Sequence, residues 1–239
     1  MAISTPTDGG ASLQGEAKAR LVQRMFNRIV PGYDLMNRLM TAGMDLRWRR
    51  LAARLAQPFA AQVLDIATGT GDLALELWHQ GAATVIAGDF AVHMLQVAQQ
   101  KLPESIPLLL ADAQNLPFAD ASFDCVTHAF LLRNLSDLDA GLREMRRVLR
   151  SGGRLVCLEI TRPEPGIFAH LFNFYFYRFV PALGGAITGQ RAAYHYLPHS
   201  LTTFPRPYQL AERLIQAGFS SVHYQLLGFG AVAIHIAIA

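Results

Sequence analysis

The stretch that decides the fold is Val63-Leu64-Asp65-Ile66-Ala67-Thr68-Gly69-Thr70-Gly71-Asp72-Leu73. Its beginning is apolar apart from one carboxylate and predicts a short buried strand. A Gly-x-Gly turn follows, and Asp72 opens an apolar segment that predicts a helix. Glycine lets the main chain of such a turn approach a ligand closely, because no Cβ stands in the way. The stretch therefore predicts a small-molecule site at the carboxyl end of a strand.

Strands and helices alternate on both sides of this turn. Apolar runs predict buried strands at 62–66, 84–88, 106–111, 123–129 and 154–160, with helices between most of them. This pattern is typical of a parallel sheet covered on both faces. Two last strands, 222–227 and 231–238, are close enough in sequence to form a hairpin. The expected fold is α/β and doubly wound, with a seven-stranded sheet that is mostly parallel and ends in a C-terminal antiparallel hairpin, the outline of class I methyltransferases.

One domain with a small helical lid accounts for the whole chain. Residues 1–17 are rich in Ser, Thr, Gly and Ala and predict a flexible tail, while 18–239 predict a single methyltransferase domain. Within it, 18–57 form N-terminal helices, the second of which is predicted to run from Asp34 through Met44 to Leu55. Residues 166–217 form a lid-like helical insertion, in which a polar loop follows an aromatic helix.

Composition predicts a well-filled core, since 51% of the 239 residues are hydrophobic and 16% are charged. The two cysteines, Cys125 and Cys157, lie in apolar runs and predict buried thiols in a reducing compartment. The tail lacks the features of a signal peptide, and Pro181 interrupts the apolar segment 167–188, which argues against a spanning helix. We expect a cytoplasmic protein, with peripheral contact at the inner face of the cell membrane as its only membrane association.

The charges around the glycine turn select the class of ligand. Gly69-x-Gly71 also satisfies a looser dinucleotide pattern, so a nicotinamide oxidoreductase is the alternative. A pyrophosphate would face Asp65 and Asp72, which carry the wrong sign, whereas Asp65 suits the cationic amino group of S-adenosylmethionine. Asp89 ends the next strand, where a carboxylate can accept hydrogen bonds from both ribose hydroxyls.

The third strand contributes the adenine end of the predicted site. Asp112 follows it in a position to meet the adenine amino group, and Ala113 offers a main-chain donor. An Asx turn explains Asp112 almost as well. From the residues alone, S-adenosylmethionine is the expected cofactor, and no His, Cys and carboxylate spacing predicts a metal site.

Several motifs together resemble a known family. The glycine turn, Gly88-Asp89-Phe90 and the Asp-Ala-x-x-Leu-Pro-Phe segment from Asp112 are similar to class I methyltransferases in general. Other motifs resemble the ubiquinone/menaquinone biosynthesis C-methyltransferase family from about Val22 to the C-terminus. They are Tyr33-Asp34-Leu35-Met36-Asn37 with Trp48, Leu132-Arg133-Asn134-Leu135, Arg147 to Gly153 leading to Leu158-Glu159, and Tyr194-x-Tyr196-Leu197.

The resemblance implies methylation of a ring carbon of a polyprenylated quinol, with demethylmenaquinol favoured over the ubiquinone-pathway benzoquinol. It adds Thr70 and Phe90 to the cofactor residues and places Tyr33, Arg133 and Asn134 at the acceptor site. The chain departs from the usual family pattern at Asp45, Ala129, Leu131 and Ser151. Two of these, Ala129 and Leu131, match positions that line the active site, which puts the fine substrate preference in doubt.

Methyl transfer to carbon requires a quinol hydroxyl to ionise, so the protein must align two reactants and stabilise a phenolate. A guanidinium is a poor base, which favours charge stabilisation as the role of Arg133, and Asn134 would orient the ring oxygen. His128 is the candidate base, although a lone strand histidine is more often a core residue.

Other functions and partners stay open. Another small-molecule methyltransferase and a non-enzymatic, cofactor-binding scaffold in quinone synthesis are the remaining alternatives, and a homodimer or a quinone-synthesis assembly is a further expectation. Nucleic acid is not expected, since neither a long basic run nor an additional binding domain is present. The aromatic residues of 168–179 have two interpretations, core packing of a lid helix and a surface for a prenyl tail.

Overall fold

The computed structural model describes residues 13–239, which form one α/β sheet structure with helices on both faces and over one edge. The helices are α1 Gly15–Ile29, α2 Tyr33–Thr41, α3 Met44–Ala56, α4 Asp72–His79, α5 Val92–Lys101, α6 Leu138–Val148, α7 Ile167–Phe174, α8 Val180–Thr188, α9 Arg191–Ser200 and α10 Pro207–Gln216. The strands are β1 Gln62–Ile66, β2 Thr84–Asp89, β3 Leu108–Leu110, β4 Phe123–Ala129, β5 Leu149–Ile160, β6 Ser221–Leu227 and β7 Val232–Ile238.

The seven strands lie in the order β3-β2-β1-β4-β5-β7-β6. Strands β1 to β5 pair in parallel, while β7 is antiparallel to both β5 and β6. The predicted class I methyltransferase sheet and its C-terminal hairpin are therefore confirmed. Because β1 lies between β2 and β4, the chain reverses its direction of progress across the sheet there, and such a switch point opens a crevice at the carboxyl ends of the strands.

Strand alternation divides the core into two clusters. Leu64 and Ile66 of β1 belong to the cluster that includes α6 and α10, whereas Val63 belongs to the cluster under α3 and α4. All three side chains are at most 1% exposed. A strand buried on both faces explains why β1 reads as a nearly continuous apolar run.

The helices over the carboxyl edge differ most from the sequence prediction. The predicted polar loop after the aromatic helix is wrong, because 191–200 form α9, with Tyr194 and Tyr196 buried. A short π-helical segment, Tyr175–Phe179, joins α7 and α8 without a break. Burial of aromatic side chains against the rest of the lid overrides the polar and helix-breaking residues, Pro198 among them, that predicted a loop.

The N-terminal region is helical from Gly15, three residues before the predicted start of the domain at Lys18. Residues 1–12 of the predicted tail lie outside the described part of the chain. A left-handed turn at Ala42 and Gly43 separates α2 from α3, which the sequence predicted as one helix. Over residues 13–239, no helix is long and apolar enough to cross a membrane.

Candidate active site

The turn after β1 is built on main-chain hydrogen bonds and positive φ angles. Gly69 and Gly71 adopt φ values of 59° and 89°, a conformation that favours glycine. The Thr68 N–H donates to the Gly88 carbonyl at 2.9 Å, and the Gly71 N–H donates to the Thr68 carbonyl at 2.9 Å. A Cβ on Gly71 would lie 2.8 Å from Leu102, so this turn accepts no larger residue there without rearrangement.

Asp89 connects this turn to the end of β2. Its Oδ2 accepts the Gly69 N–H and its Oδ1 accepts the Ala91 N–H, both at 2.8 Å. Burial raises the pKa of Asp89, and the two main-chain donors oppose that rise. Each carboxylate oxygen keeps a second lone pair, so Asp89 can still accept hydrogen bonds from a ligand.

A first cavity, called cavity 1, opens beside this turn and is lined by the ends of β1, β2, β3 and β4 and by α1. Among the described residues, its only charged lining side chains are Asp89 and Asp112. A cavity with two carboxylates and no cationic side chain is suited to a cationic ligand and disfavours a pyrophosphate. Five of the eight predicted cofactor residues line it, namely Gly69, Asp89, Phe90, Asp112 and Ala113.

The other three predicted cofactor residues do not line cavity 1. Asp65 is buried beneath the turn, where it accepts hydrogen bonds from Thr68 Oγ1 at 2.6 Å and Thr127 Oγ1 at 2.7 Å. Burial raises its pKa to about 6. Strand alternation turns Asp65 toward the same side as Val63, away from the cavity, so the predicted contact with a cofactor amino group finds no support in this geometry.

Thr70 and Gly71 support the turn instead of facing the cavity. The Thr70 hydroxyl donates to Asp34 Oδ1 of α2 at 2.7 Å. Asp72, the first residue of α4, accepts Arg38 Nη2 at 2.6 Å and pairs with Lys101. These contacts attach α2 to the glycine turn, and α2 carries Tyr33 to the rim of cavity 1.

A second and much larger cavity, called cavity 2, lies between the N-terminal helices and the lid. Its volume is about 630 Å³. The aromatic residues Phe168, Phe172, Tyr175, Phe176 and Phe179 line one wall, and residues of α2 and α3 line the opposite wall. Tyr175 also donates its hydroxyl to the Met40 carbonyl at 2.9 Å, which fastens the lid to α2. The aromatic stretch therefore lines a cavity in addition to packing.

Four residues line both cavities: Phe26, Tyr33, Phe130 and Asn134. Two of them were predicted at the acceptor site, and the third predicted residue, Arg133, lines cavity 2. A molecule in cavity 1 and a molecule in cavity 2 would thus meet at Tyr33 and Asn134. Methyl transfer between two bound molecules requires such a junction.

The segment after β4 holds the two polar residues of the junction. Phe130 adopts a φ of 65°, which turns the chain sharply at the end of the strand. Its carbonyl accepts hydrogen bonds from Arg133 Nη1 and from Asn134 Nδ2, each at 3.0 Å. One strained residue thereby orients both side chains.

Four residues that line cavity 2 each have a buried polar atom without a hydrogen-bond partner among the described residues. These atoms are Asn37 Nδ2, Arg133 Nε, Asn134 Oδ1 and Tyr196 Oη. Buried polar atoms without partners are costly and point to a ligand that completes them. Tyr194 and Tyr196 were not predicted as site residues, and only their place in a family motif singled them out in the sequence.

His128 lies outside both cavities. It is fully buried in β4, and its Nδ1 stands 3.5 Å from Glu159 Oε1. Burial lowers the pKa of His128 to about 3, which leaves the imidazole neutral. Without access to either cavity it cannot take a proton directly from a bound quinol, so its predicted role as general base has no support here.

Comparison with known proteins identifies the family. A sequence profile described as the ubiE/COQ5 methyltransferase family matches residues 14–239. The chain belongs to this family. It is therefore an S-adenosylmethionine-dependent methyltransferase, and the resemblance noted from the motifs is confirmed.

Individual relatives agree with this assignment. A demethylmenaquinone methyltransferase from Thermus thermophilus is 49% identical over 217 residues, which cover 89% of this chain and 98% of the relative. Another, from Roseiflexus sp., is 44% identical over 93% of this chain and 95% of its own. A ubiquinone/menaquinone biosynthesis C-methyltransferase from Desulfotalea psychrophila is 44% identical over 90% of this chain and 88% of its own.

Solved structures support the fold alone. An S-adenosylmethionine-dependent methyltransferase from Thermotoga maritima superimposes with a TM-score of 0.67 at 18% identity, covering 91% of this chain and 99% of that one.

Two departures from the family pattern, Ala129 and Leu131, line cavity 1, whereas Asp45 lines cavity 2 and pairs with Arg38. Ser151 is an exposed residue near the start of β5.

Proposed function

We propose that the protein methylates a ring carbon of a polyprenylated quinol, converting demethylmenaquinol to menaquinol. The observation that carries the proposal is the junction of an acidic cavity with a large apolar one at Tyr33, Phe130 and Asn134. The relatives named demethylmenaquinone methyltransferases, at 43–49% identity, favour this acceptor.

The residues of cavity 1 fit the cofactor. S-adenosylmethionine, when bound, supplies an electrophilic methyl group on a positively charged sulfur. Asp89 would bind the ribose hydroxyls through its remaining lone pairs, and Asp112 and Ala113 would bind the adenine. Cavity 1 measures only about 80 Å³, and Val22 and Phe26 of α1 are among its lining residues. We therefore expect α1 to move outward when the cofactor binds.

On the acceptor side, Arg133 would stabilise the phenolate that forms when a quinol hydroxyl loses its proton, because a guanidinium in an apolar cavity interacts strongly with a negative charge. Asn134, whose Oδ1 has no partner among the described residues, would accept a hydrogen bond from the ring. Tyr194 and Tyr196 offer hydroxyls for the second ring oxygen. Burial raises the pKa of each tyrosine to about 12, so both stay protonated as donors.

The prenyl tail would lie along the aromatic wall of cavity 2, and we propose that the mouth of this cavity contacts the membrane. Ile167, Leu171 and Phe174 of α7 are 83%, 62% and 71% exposed, and Phe229 is 86% exposed. Phe229 packs against Phe168, a lining residue, with ring centroids 5.2 Å apart. An exposed apolar rim on a tail-binding cavity matches an acceptor that resides in lipid. We propose that residues within 166–217 form the lid over this cavity. We also propose that the protein self-associates or joins a quinone-synthesis assembly.

The decisive experiment measures transfer of labelled methyl from S-adenosylmethionine to a reduced demethylmenaquinone analogue and, in parallel, to a ubiquinone-precursor analogue. We expect label in the naphthoquinol. Label only in the benzoquinol would keep C-methylation as the reaction but assign it to the ubiquinone pathway. Binding of S-adenosylhomocysteine without label in either acceptor would contradict the proposal and favour another acceptor or the scaffold function.

A further inference from the structure

We propose that Glu159 is a positioning residue for Arg133, holding the guanidinium and its segment in place at the acceptor cavity; the role in catalysis rests on the proposed function. Glu159 lies near the end of β5 and is 1% exposed. Its Oε1 accepts the Leu132 N–H at 2.6 Å, and its Oε2 stands 3.5 Å from Arg133 Nη1. It lines neither cavity, so it acts through the neighbouring residue.

A buried carboxylate is costly to desolvate, and it persists only where hydrogen bonds and an opposite charge compensate it. Here the compensation comes from one short segment, 131–133, which supplies both the main-chain donors and the guanidinium. The carboxylate therefore fixes the backbone and the side chain of the same segment. Arg133 Nε stays without a partner among the described residues and is left for a ligand.

The remaining contacts of Arg133 do not replace this carboxylate. Its Nη1 also donates to the Phe130 carbonyl, which has no charge and is shared with Asn134. Lys18 donates to the Arg133 carbonyl at 3.0 Å, and this second cation repels the guanidinium. Glu159 is the one anionic group paired with Arg133 among the described residues. Its removal would leave the cation buried without a counterion.

Protonation of Glu159 has a predictable effect on this contact. Burial raises its pKa to about 7, and Arg133 and the main-chain donors oppose the rise. The other titratable groups that face it are His128 of β4 and Cys157 of β5, both fully buried, while Tyr196 of α9 faces Arg133. As pH falls through about 7 the carboxylate becomes neutral and its hold on Arg133 weakens. Turnover should therefore fall on the acid side with an apparent pKa near that of Glu159.

The test compares Glu159→Gln with Glu144→Gln. Glutamine keeps the acceptor for the Leu132 N–H but loses the charge and turns a donor toward Arg133. Glu144 is a matched control, since it too accepts a main-chain N–H, that of Leu116 at 2.7 Å, and pairs with an arginine away from both cavities. For Glu159→Gln we expect kcat to fall about 10- to 100-fold, as for a misplaced catalytic group, with unchanged affinity for S-adenosylhomocysteine. The fall of kcat at acid pH should disappear in Glu159→Gln. Glu144→Gln should keep the wild-type kcat and the fall of kcat at acid pH.

A double-mutant cycle separates positioning from general damage. In an Arg133→Ala background, Glu159→Gln should change kcat by less than about 2-fold, because the group it positions is gone. An equal loss in both backgrounds would overturn the proposal, as would an unchanged kcat and pH profile in the single variant.

A spectroscopic readout keeps this test independent of the acceptor. In the wild-type protein, the ¹⁵N signal of the Arg133 side chain should titrate with an inflection near pH 7, and in Glu159→Gln it should not. A wild type that methylates no quinol but shows this titration would overturn the proposed function and retain the pairing. A signal that does not titrate in an active wild type would overturn the positioning role.

Discussion

The two cavities are built in opposite ways. Cavity 1 is assembled mainly from strand ends and the turns that follow them, such as 66–69, 89–91 and 111–114. Cavity 2 takes its walls mainly from helices, with lining residues as far apart in sequence as Met25 and Val232, and it is about 630 Å³ in volume against about 80 Å³ for cavity 1. Cavity 1 depends on local main-chain geometry that is repeated along the edge of the sheet. Cavity 2 depends on how helices that are distant in sequence pack against one another.

This difference explains the distribution of polar groups. In cavity 1 the carboxylate of Asp89 is already bonded to main-chain donors, so its orientation is fixed before any ligand binds. In cavity 2 four lining residues have a buried polar atom with no hydrogen-bond partner among the described residues. Cofactor affinity and turnover should therefore respond to different substitutions.

The largest effect is expected for Arg133→Ala, which belongs to cavity 2. Loss of a group that stabilises a developing oxyanion typically lowers kcat by about 10²- to 10³-fold. Affinity for S-adenosylhomocysteine, measured by calorimetry, should stay within about 2-fold, since Arg133 does not line cavity 1. Equal losses in both quantities would indicate folding damage and remove the distinction between the cavities.

Asp89→Ala should show the opposite pattern and lower cofactor affinity more than kcat. Loss of hydrogen bonds to a charged acceptor costs about 1.5–3 kcal/mol, so cofactor affinity should fall roughly 10- to 100-fold. Asp89→Asn keeps one acceptor and should lose less. Unchanged calorimetric affinity in the alanine variant would remove Asp89 from the cofactor site.

Ala193→Phe should narrow cavity 2, which Ala193 lines, without touching cavity 1. We expect KM for a long-tailed quinol to rise about 10-fold, because a displaced tail loses the burial of about two methylene groups at about 0.8 kcal/mol each. KM for a short-tailed quinol should change little. A comparable rise for both acceptors would place the tail elsewhere.

The smallest effect is expected on the free energy of unfolding, through buried titratable groups in the sheet beneath both cavities. Burial lowers the pKa of His235 to about 4 and that of His128 to about 3, so the folded protein excludes protons that the unfolded chain binds below pH 6.5. Asp65 at about 6 and Glu159 at about 7 are raised and bind protons that the unfolded chain does not. The two contributions oppose each other, and the free energy of unfolding should vary little between pH 6 and 5.

His235→Gln removes one histidine from this balance. Its free energy of unfolding should then increase by about 1 kcal/mol as pH falls from 6 to 5, because the raised carboxyl groups prevail. Denaturant titrations at the two pH values measure this slope. The same flat dependence as in the wild type would show that His235 does not contribute to the balance.

Most of the sheet could be predicted from the sequence, because a buried parallel strand followed by a glycine turn and an amphipathic helix leaves a local signature. Five of the predicted cofactor residues line cavity 1 for the same reason, since strand ends of a parallel sheet converge at one edge. Thr70 and Asp65 do not line cavity 1, and a strand or turn pattern does not show whether a particular side chain faces the crevice or the layer beneath it.

The sequence by itself determined the order of the strands, most of the helices, the family and the glycine turn after β1, since strand and turn patterns are encoded in neighbouring residues. The tertiary structure alone decided that α9 replaces a loop, that Tyr194 and Tyr196 line cavity 2, and that Glu159 lies against Arg133. These contacts join residues far apart in the chain, and side-chain packing, which has no local signature, selects them.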